Sequence, residues 1–323
     1  MQFRSINDLY RDIWSNLHRL PADIDLVVGI PRSGMLVATI IALARNLPLA
    51  DLDGFVAGRQ FAVGKTRRDG SEQANEIRHI LIVDDSSRTG SAMREARATL
   101  ATLANPPRFT TCVVYGVEQC DAGIDLTLAT VAEPRVFEWN VFHHPIIERA
   151  CVDIDGVLCL DPQAHENDDG PRYLDFLGNA QALHRPRREI GMLVTSRLEK
   201  YRRETEDWLH RNGFRYRKLE MLDLPDAETR RRHRAHAGFK AGVYSASDSP
   251  LFIESELPQA REIAYLSGKP VLSLEGPQMV YPGALSPQAL RRASRPDRLV
   301  RSIAQQLLGP AGVGQVKAWL GRK

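Results

Sequence analysis

The sequence predicts an α/β protein made of two doubly wound domains. Three observations predict it. Short apolar runs alternate with amphipathic, helix-like segments, the pattern of a parallel sheet covered by helices on both faces. The alternation stops near residue 143 and restarts near residue 150. The chain has 323 residues, long for one domain and comfortable for two.

The elements follow in order. Residues 4–20 carry the apolar spacing of an amphipathic helix, and 25–30 (DLVVGI) form a buried strand that ends at Pro31. Residues 35–46 read as a helix. Residues 54–76 are polar and hold Gly54, Gly58, Gly64 and Gly70, which suits a loop or loose hairpin. A second buried strand is expected at 79–83 (HILIV), then a polar loop, a helix over 91–104 and a third strand at 109–117. After the break, strands are expected at 150–154, 190–195, 242–245 and 251–254, with helices over Arg202–Arg211 and Leu257–Ser267. The boundary falls near His144 and Pro145, giving domains 1–146 and 147–310 and a tail 311–323. The tail is Gly-rich and then weakly amphipathic, a docking helix or a frayed end.

Composition narrows the function classes. Apolar residues make up 43% and charged residues 26%, an ordinary soluble balance. A net charge of +3 is too mild to call for a nucleic-acid partner. The basic runs at 67–68, 185–188, 230–234 and 291–298 suit solvated helix faces. No apolar run approaches the roughly 18 residues of a membrane span, and the N-terminus lacks a signal-peptide core, so a cytoplasmic chain is expected. Cys112, Cys120, Cys151 and Cys159 show no CxxC spacing, which argues against zinc, and Cys151 and Cys159 read as small core residues.

The first motif is Ile80-Leu-Ile-Val-Asp84-Asp85-Ser86-Ser87-Arg88-Thr89-Gly90-Ser91. Two carboxylates end a buried strand, and a tight loop then opens a helix. Loop and helix N–H groups make an anion site. The carboxylates upstream would repel a phosphate but suit sugar hydroxyls, directly or through magnesium. This order resembles the signature loop of type I phosphoribosyltransferases. The resemblance implies that Asp84 and Asp85 engage the ribose hydroxyls of phosphoribosyl diphosphate (PRPP), while Ser87 to Ser91 cradle its 5-phosphate. A second strand–loop–helix segment, Val28-Gly29-Ile30-Pro31-Arg32-Ser33-Gly34-Met35, is similar to the family's pyrophosphate loop, with Arg32 the basic candidate beside Ser33 and Gly34. The stretch 54–76 sits where the family carries a lid, and Arg59, Lys65, Arg67 and Arg68 are candidates to close over the diphosphate. Two departures stand out. Ser86, Ser87 and Arg88 replace smaller or apolar residues of many members, and 115–149 shows no base-binding hood. The aromatic segment 135–144 (RVFEWNVFHH) is either plain packing or an acceptor wall.

The second motif is Cys151-Val-Asp153-Ile-Asp155-Gly156-Val-Leu158. Strand alternation points both aspartates to one side, and Gly156 permits a sharp turn. Asp153 is placed to attack phosphorus, Asp155 to protonate the leaving oxygen and activate water, and a divalent cation to offset their charge. The motif resembles the haloacid-dehalogenase (HAD) superfamily. The resemblance assigns Thr195 (in VTSR) to phosphate binding, Lys240 to offsetting the charge of the nucleophile, and Glu254 to magnesium beside Asp153 and Asp155. Glu256 and Asp248 are alternatives for that last ligand. About 40 residues separate Asp155 from Thr195, and about 45 separate Thr195 from Lys240. Neither gap suits a large cap, so a HAD-like Rossmannoid sheet with little or no cap is expected, with 168–172 (DDGPR) as a small flap.

Together the two resemblances imply an enzyme using PRPP and Mg2+. It would transfer 5-phosphoribose to an acceptor and then remove the 5-phosphate, leaving a ribofuranosyl group. The organisation is similar to dual-domain ribofuranosyltransferases of bacterial surface-polysaccharide assembly. That implies a glycan or lipid-linked glycan acceptor and leaves room for peripheral membrane association through it and for a homodimer. The alternatives are nucleotide salvage on orotate or a purine, and a PRPP-sensing module fused to a phosphatase.

Overall fold

A computed structural model describes residues 1–64, 77–118, 123–233 and 235–283. The chain forms two compact units, Met1–Trp139 and Asn140–Lys323.

The first unit is built on a five-stranded parallel sheet. Its strands are β2 (Leu26–Gly29), β3 (Leu49–Asp51), β4 (His79–Ser86), β5 (Arg108–Gly116) and β6 (Leu126–Thr130), in the order β3-β2-β4-β5-β6. Strand alternation separates its two cores. Val27, Leu81, Val83, Cys112 and Val114 face helices α1 (Ile6–Asn16) and α2 (Ser33–Arg45) through Leu9, Ile13, Val37 and Ile41. Leu26, Val28, Ile80, Ile82 and Val113 meet α4 (Ser91–Leu100) through Met93, Ala96 and Leu100. Both faces are apolar and covered, as a parallel sheet requires. A separate parallel pair joins β1 (Gln2–Arg4) to β7 (Arg135–Phe137).

The expected helix over 4–20 begins later and ends earlier. Ser5 caps α1 in a capping box: the Asp8 N–H donates to Ser5 Oγ at 3.1 Å, and the Ser5 N–H to Asp8 Oδ2 at 2.9 Å. Residue 4 is thereby left to the strand β1. Within the expected loop 54–76, a short helix α3 (Leu52–Val56) is capped by Asp51, whose Oδ1 accepts from the Gly54 N–H. Residues 65–76 lie outside the described residues.

In the second unit, β8 (Cys151–Val152), β9 (Met192–Leu198), β10 (Leu219–Leu222), β11 (Phe252–Glu254), β12 (Val271–Ser273) and β13 (Gln278–Val280) form a sheet of order β10-β9-β8-β11-β12-β13. All neighbours are parallel except β13, which runs antiparallel to β12. Helices α8 (Ala235–Ala246) and α9 (Leu257–Ser267) pack on it through Ala237, Ala241, Tyr244, Ala260, Ile263 and Ala264. Helices α5 (Pro171–Asn179) and α6 (Arg202–Arg211) bury Phe176, Leu177, Trp208 and Leu209. A further helix is α7 (Ala227–His233).

Two expectations are corrected. Residues 242–245 are helical, not a strand, because Ala237, Ala241 and Tyr244 recur at the spacing of one helix face. The stretch 168–172 opens α5 and is tied down. Asp168 Oδ1 accepts from the N–H groups of Gly170 (2.9 Å) and Tyr173 (3.0 Å), and Asp169 accepts from Lys200 Nζ, the Tyr201 hydroxyl and the Ala227 N–H.

Candidate active sites

In the first unit, β2 and β4 are adjacent and parallel, with Gly29 opposite Val83. Their loops therefore emerge side by side at the C-terminal edge of the sheet, where such folds bind ligands. The two sequence motifs meet there. Ser33 Oγ donates to Asp85 Oδ1 at 2.8 Å, and the Ile30 N–H donates to Val83 O at 2.9 Å. A Cβ on Gly34 would stand 2.7 Å from Val83 O and 3.1 Å from Asp84 Oδ1, so only glycine allows this approach. The peptide between Pro31 and Arg32 is cis.

Asp84 and Asp85 close β4. Asp85 is buried, its Oδ2 accepting from Trp139 Nε1 at 2.7 Å. Asp84 Oδ1 accepts from the Asp85 N–H at 2.8 Å. Burial, and then the adjoining Asp85, push the Asp84 carboxyl up to about 8. No ion pair reaches either carboxylate among the described residues. A divalent cation would suit this uncompensated pair, and Asp84 and Asp85 would hold it.

The loop expected to bind an anion follows. Ser87 Oγ accepts from the Gly90 N–H at 2.9 Å, and Gly90 takes the left-handed φ of 73° that opens α4 at Ser91. Thr89 Oγ1 lies 3.3 Å from Ser91 Oγ, and Arg94 grips the Thr89 carbonyl at 2.7 Å. Ser86 is half-buried at the end of β4, while Arg88 and Arg32 are exposed beside the loops. Arg59 is exposed, and Lys65, Arg67 and Arg68 lie outside the described residues.

The aromatic segment packs instead of forming an open wall. Tyr115, Phe137 and Trp139 stack, the last two with centroids 4.8 Å apart and planes 4° apart. Arg135 is buried and donates to the carbonyls of Ser87, Tyr115, Gly116 and Val131. Arg135 and Trp139 thus brace the acidic loop, a role that the sequence, read as an aromatic segment that either packs or forms an acceptor wall, did not reveal. Phe142, in the second unit, stacks on His184 at 4.1 Å.

In the second unit, Asp153 and Asp155 line one cavity of about 270 Å3 with Asp161, Ser196, Lys240 and Glu256. The sharp turn after Asp155 needs Gly156: its φ is 70°, and a Cβ would lie 2.4 Å from Ser255 Cβ and 2.7 Å from Asp161 Oδ2. Lys240 sits on the helix α8, not at a strand end. Its Nζ bridges Asp153 Oδ2 at 2.6 Å and Glu254 Oε2 at 2.8 Å. Burial alone would pull Lys240 down, and Asp153 and Glu254 more than reverse this, so the ammonium persists. Burial pushes the Asp153 carboxyl up against Lys240, with Glu254 and Asp155 adding to the rise.

Asp155 has a different partner. The buried guanidinium of Arg197 donates through Nη2 at 2.6 Å and through Nε to both carboxylate oxygens at 3.1 Å. Burial would raise Asp155, but Arg197 holds it below the ordinary carboxylate range. The pair therefore splits, with Asp155 the settled anion. Arg197 was visible in VTSR, yet nothing in the sequence marked it as a partner for a residue 42 positions upstream.

Thr195 is fully buried, with Oγ1 accepting from the Arg197 N–H at 3.2 Å; Ser196 lines the cavity instead. Glu254 is also fully buried, its Oε1 accepting from Ser255 and its Oε2 from Lys240. Asp248 is exposed and Glu256 faces the cavity. Among the described residues no three His, Cys, Asp or Glu side chains converge as a metal set. Asp153 and Glu254 are engaged by Lys240 and Asp155 by Arg197, so the expected magnesium set Asp153, Asp155 and Glu254 does not fit a cation as arranged here.

Comparison with known proteins addresses the first unit. Residues 3–146 match the model of the phosphoribosyl transferase domain, which supports a phosphoribosyltransferase-type domain in this part of the chain. No curated protein matches the chain. Among solved structures, the chain is similar to the Helicobacter pylori xanthine-guanine-hypoxanthine phosphoribosyltransferase at 14% identity, covering 43% of this chain and 93% of that one, with a TM-score of 0.34. It is similar to a purine phosphoribosyltransferase from Pyrococcus horikoshii at 17% identity, covering 43% and 92%, with a TM-score of 0.31. The orotate phosphoribosyltransferase from Aeropyrum pernix gives 18% identity, 38% and 71% coverage and a TM-score of 0.26. No helix among the described residues is long and apolar enough to cross a membrane.

Proposed function

We propose that the chain transfers 5-phosphoribose from PRPP to a glycan or lipid-linked glycan and then hydrolyses the 5-phosphate, leaving a ribofuranosyl residue. The observation that carries the transferase half is the Ser33–Asp85 hydrogen bond, which joins the two expected PRPP loops into one site. Asp84 and Asp85 take the ribose hydroxyls, Ser87 to Ser91 the 5-phosphate, and Arg32 with the Ser33–Gly34 amides the diphosphate. Magnesium held with Asp84 and Asp85 would supply charge compensation for the diphosphate. The C1–O bond to diphosphate breaks as an acceptor hydroxyl oxygen bonds to C1 and gives up its proton.

The phosphatase half, a HAD-like domain proposed over 147–310, rests on the Asp153–Lys240 contact. Asp153, as the carboxylate paired with Lys240, attacks phosphorus; the bond from phosphorus to the 5-oxygen breaks, that oxygen takes a proton from water, and a second water then cleaves the aspartyl-phosphate to release inorganic phosphate. Lys240 offsets the charge. Asp155, held as a carboxylate by Arg197, suits activation of that water better than protonation of the leaving oxygen.

The test is mass spectrometry of products formed from PRPP, magnesium and a panel of glycans, orotate and purines. Wild type should add a ribose mass to a glycan, and Asp153→Asn should add a phosphoribose mass. A nucleotide product in place of a glycan adduct would move the assignment to salvage. PRPP binding without turnover on any acceptor would move it to a sensor. Identical products from wild type and Asp153→Asn would refute the ordered scheme.

A further inference from the structure

Among the described residues of the second unit, three buried cations lie beside one cavity, and two of them have carboxylate partners. Arg197 is paired with Asp155, and Lys240 with Asp153 and Glu254. The third is Arg230 on α7, only 6% exposed. Among the described residues no carboxylate pairs with it. Its Nη1 donates to the Ser196 carbonyl at 2.9 Å, the Tyr173 hydroxyl is a further contact, and its Nε has no partner among the described residues. Ser196 is 8% exposed, and its hydroxyl is also without a partner among the described residues. Both residues line the cavity that holds Asp153.

A guanidinium buried without a counter-anion is strongly unfavourable, and buried donors without acceptors add to the cost. A ligand that brings negative charge and several acceptor oxygens removes both. Phosphate does so, and its geometry matches a guanidinium fork. The position is also braced. Asp169 accepts from the Ala227 N–H at the start of α7 and from Lys200 and Tyr201, which holds this helix by the cavity.

We infer that Arg230 and Ser196 form the anion subsite of this cavity and take the phosphoryl oxygens of a phosphomonoester. This deepens the phosphatase reading and rests on it for placing phosphorus near Asp153. It also gives Ser196, not the buried Thr195, the hydroxyl contact to phosphate. Arg230 falls in the basic run 230–234, which sequence reasoning assigned to a solvated face; its burial sets it apart.

The experiment uses the full chain carrying Thr89→Asp, which puts a carboxylate in the first unit's anion loop. Inorganic phosphate is titrated by calorimetry, and hydrolysis of an aryl phosphate is measured on the same proteins. Arg230→Gln should weaken phosphate binding about tenfold or more, Ser196→Ala less, and Arg230→Lys should fall between parent and Gln. Thermal melts report folding, and Ser196→Ala keeps the test open if Arg230→Gln does not fold. Unchanged phosphate affinity in folded Arg230→Gln or in Ser196→Ala, or a parent that binds no phosphate, overturns the inference. Arg230-dependent binding in a parent that hydrolyses no phosphoester would leave the subsite standing and sink only the phosphatase reading.

Discussion

The indole Nε1 of Trp139 donates to Asp85 Oδ2 across 2.7 Å, while Ser33 Oγ holds the other oxygen of the same carboxylate at 2.8 Å. Asp85 is thereby fixed in orientation, and Asp84 is the more open of the two. Trp139→Phe keeps the stack on Phe137 and removes only the donor. A hydrogen bond to a charged group contributes about 1.5–3 kcal/mol, so the KM for PRPP should rise on the order of tenfold with the fold intact. Steady-state kinetics with a circular-dichroism melt checks this. An unchanged KM would show that Trp139 does not position Asp85 for the ligand.

Asp84 makes stability depend on pH. Its carboxyl is pushed up to about 8 from an unfolded value of 3.8, so the folded chain binds the extra proton between these values. The stability this proton supports is present below the unfolded value and is lost as pH rises through the folded one. Asp84→Asn carries no such titration. Its melting temperature should match the parent at about pH 4 and exceed it increasingly up to about pH 9. A difference that does not grow with pH would show that Asp84 is ionised in the resting fold.

Much of this architecture was legible because its signals are local. The run HILIV and the order Asp-Asp, Thr-Gly, helix mark β4 and its loop through apolar continuity and turn chemistry, and the structure brings that loop to Ser33. Lys240 was likewise found beside Asp153. The misses depend on long-range packing. Gly238 and Gly242 disguised α8, which forms because Ala237, Ala241 and Tyr244 find a sheet to cover. Arg230 was read into a solvated helix face, and nothing marked Arg197 as a partner of Asp155, since the burial of both comes from segments distant in the chain. Thr195 and Ser196 differ by one position, and which of them faces the cavity was beyond what the motif determined.

Gly156 and Gly34 test the two sites separately. Alanine at 156 meets Ser255 Cβ at 2.4 Å and must also adopt a φ of 70°, which costs about 1–2 kcal/mol before the clash. Gly156→Ala should abolish phosphoester hydrolysis and leave PRPP binding unaffected. Gly34→Ala pushes against the Val83 carbonyl and Asp84, and should weaken PRPP binding while leaving hydrolysis intact. Calorimetry with PRPP and an aryl-phosphate assay on both variants decide it. Loss of both activities in either variant would argue against independent sites.

Arg197 sets the charge of Asp155, and its removal should be costly in a pH-dependent way. With the guanidinium present, Asp155 lies below the ordinary carboxylate range, so its contribution to stability is present above that range and is lost as pH falls through the folded value. Arg197→Met leaves a buried carboxylate without its cation, and burial then raises it. The loss should be about 3–5 kcal/mol near neutral pH, the cost of breaking a buried pair. It should shrink as acid protonates Asp155, opposite in sign to the parent's own trend. Urea melts at about pH 7 and about pH 5 measure it. If Asp155 activates water as a carboxylate, the acidic limb of the pH–rate profile in Arg197→Met should also move to higher pH. A stability loss equal at both pH values, with an unmoved acidic limb, would mean that Arg197 serves packing between Phe176 and Trp208 and not the charge of Asp155.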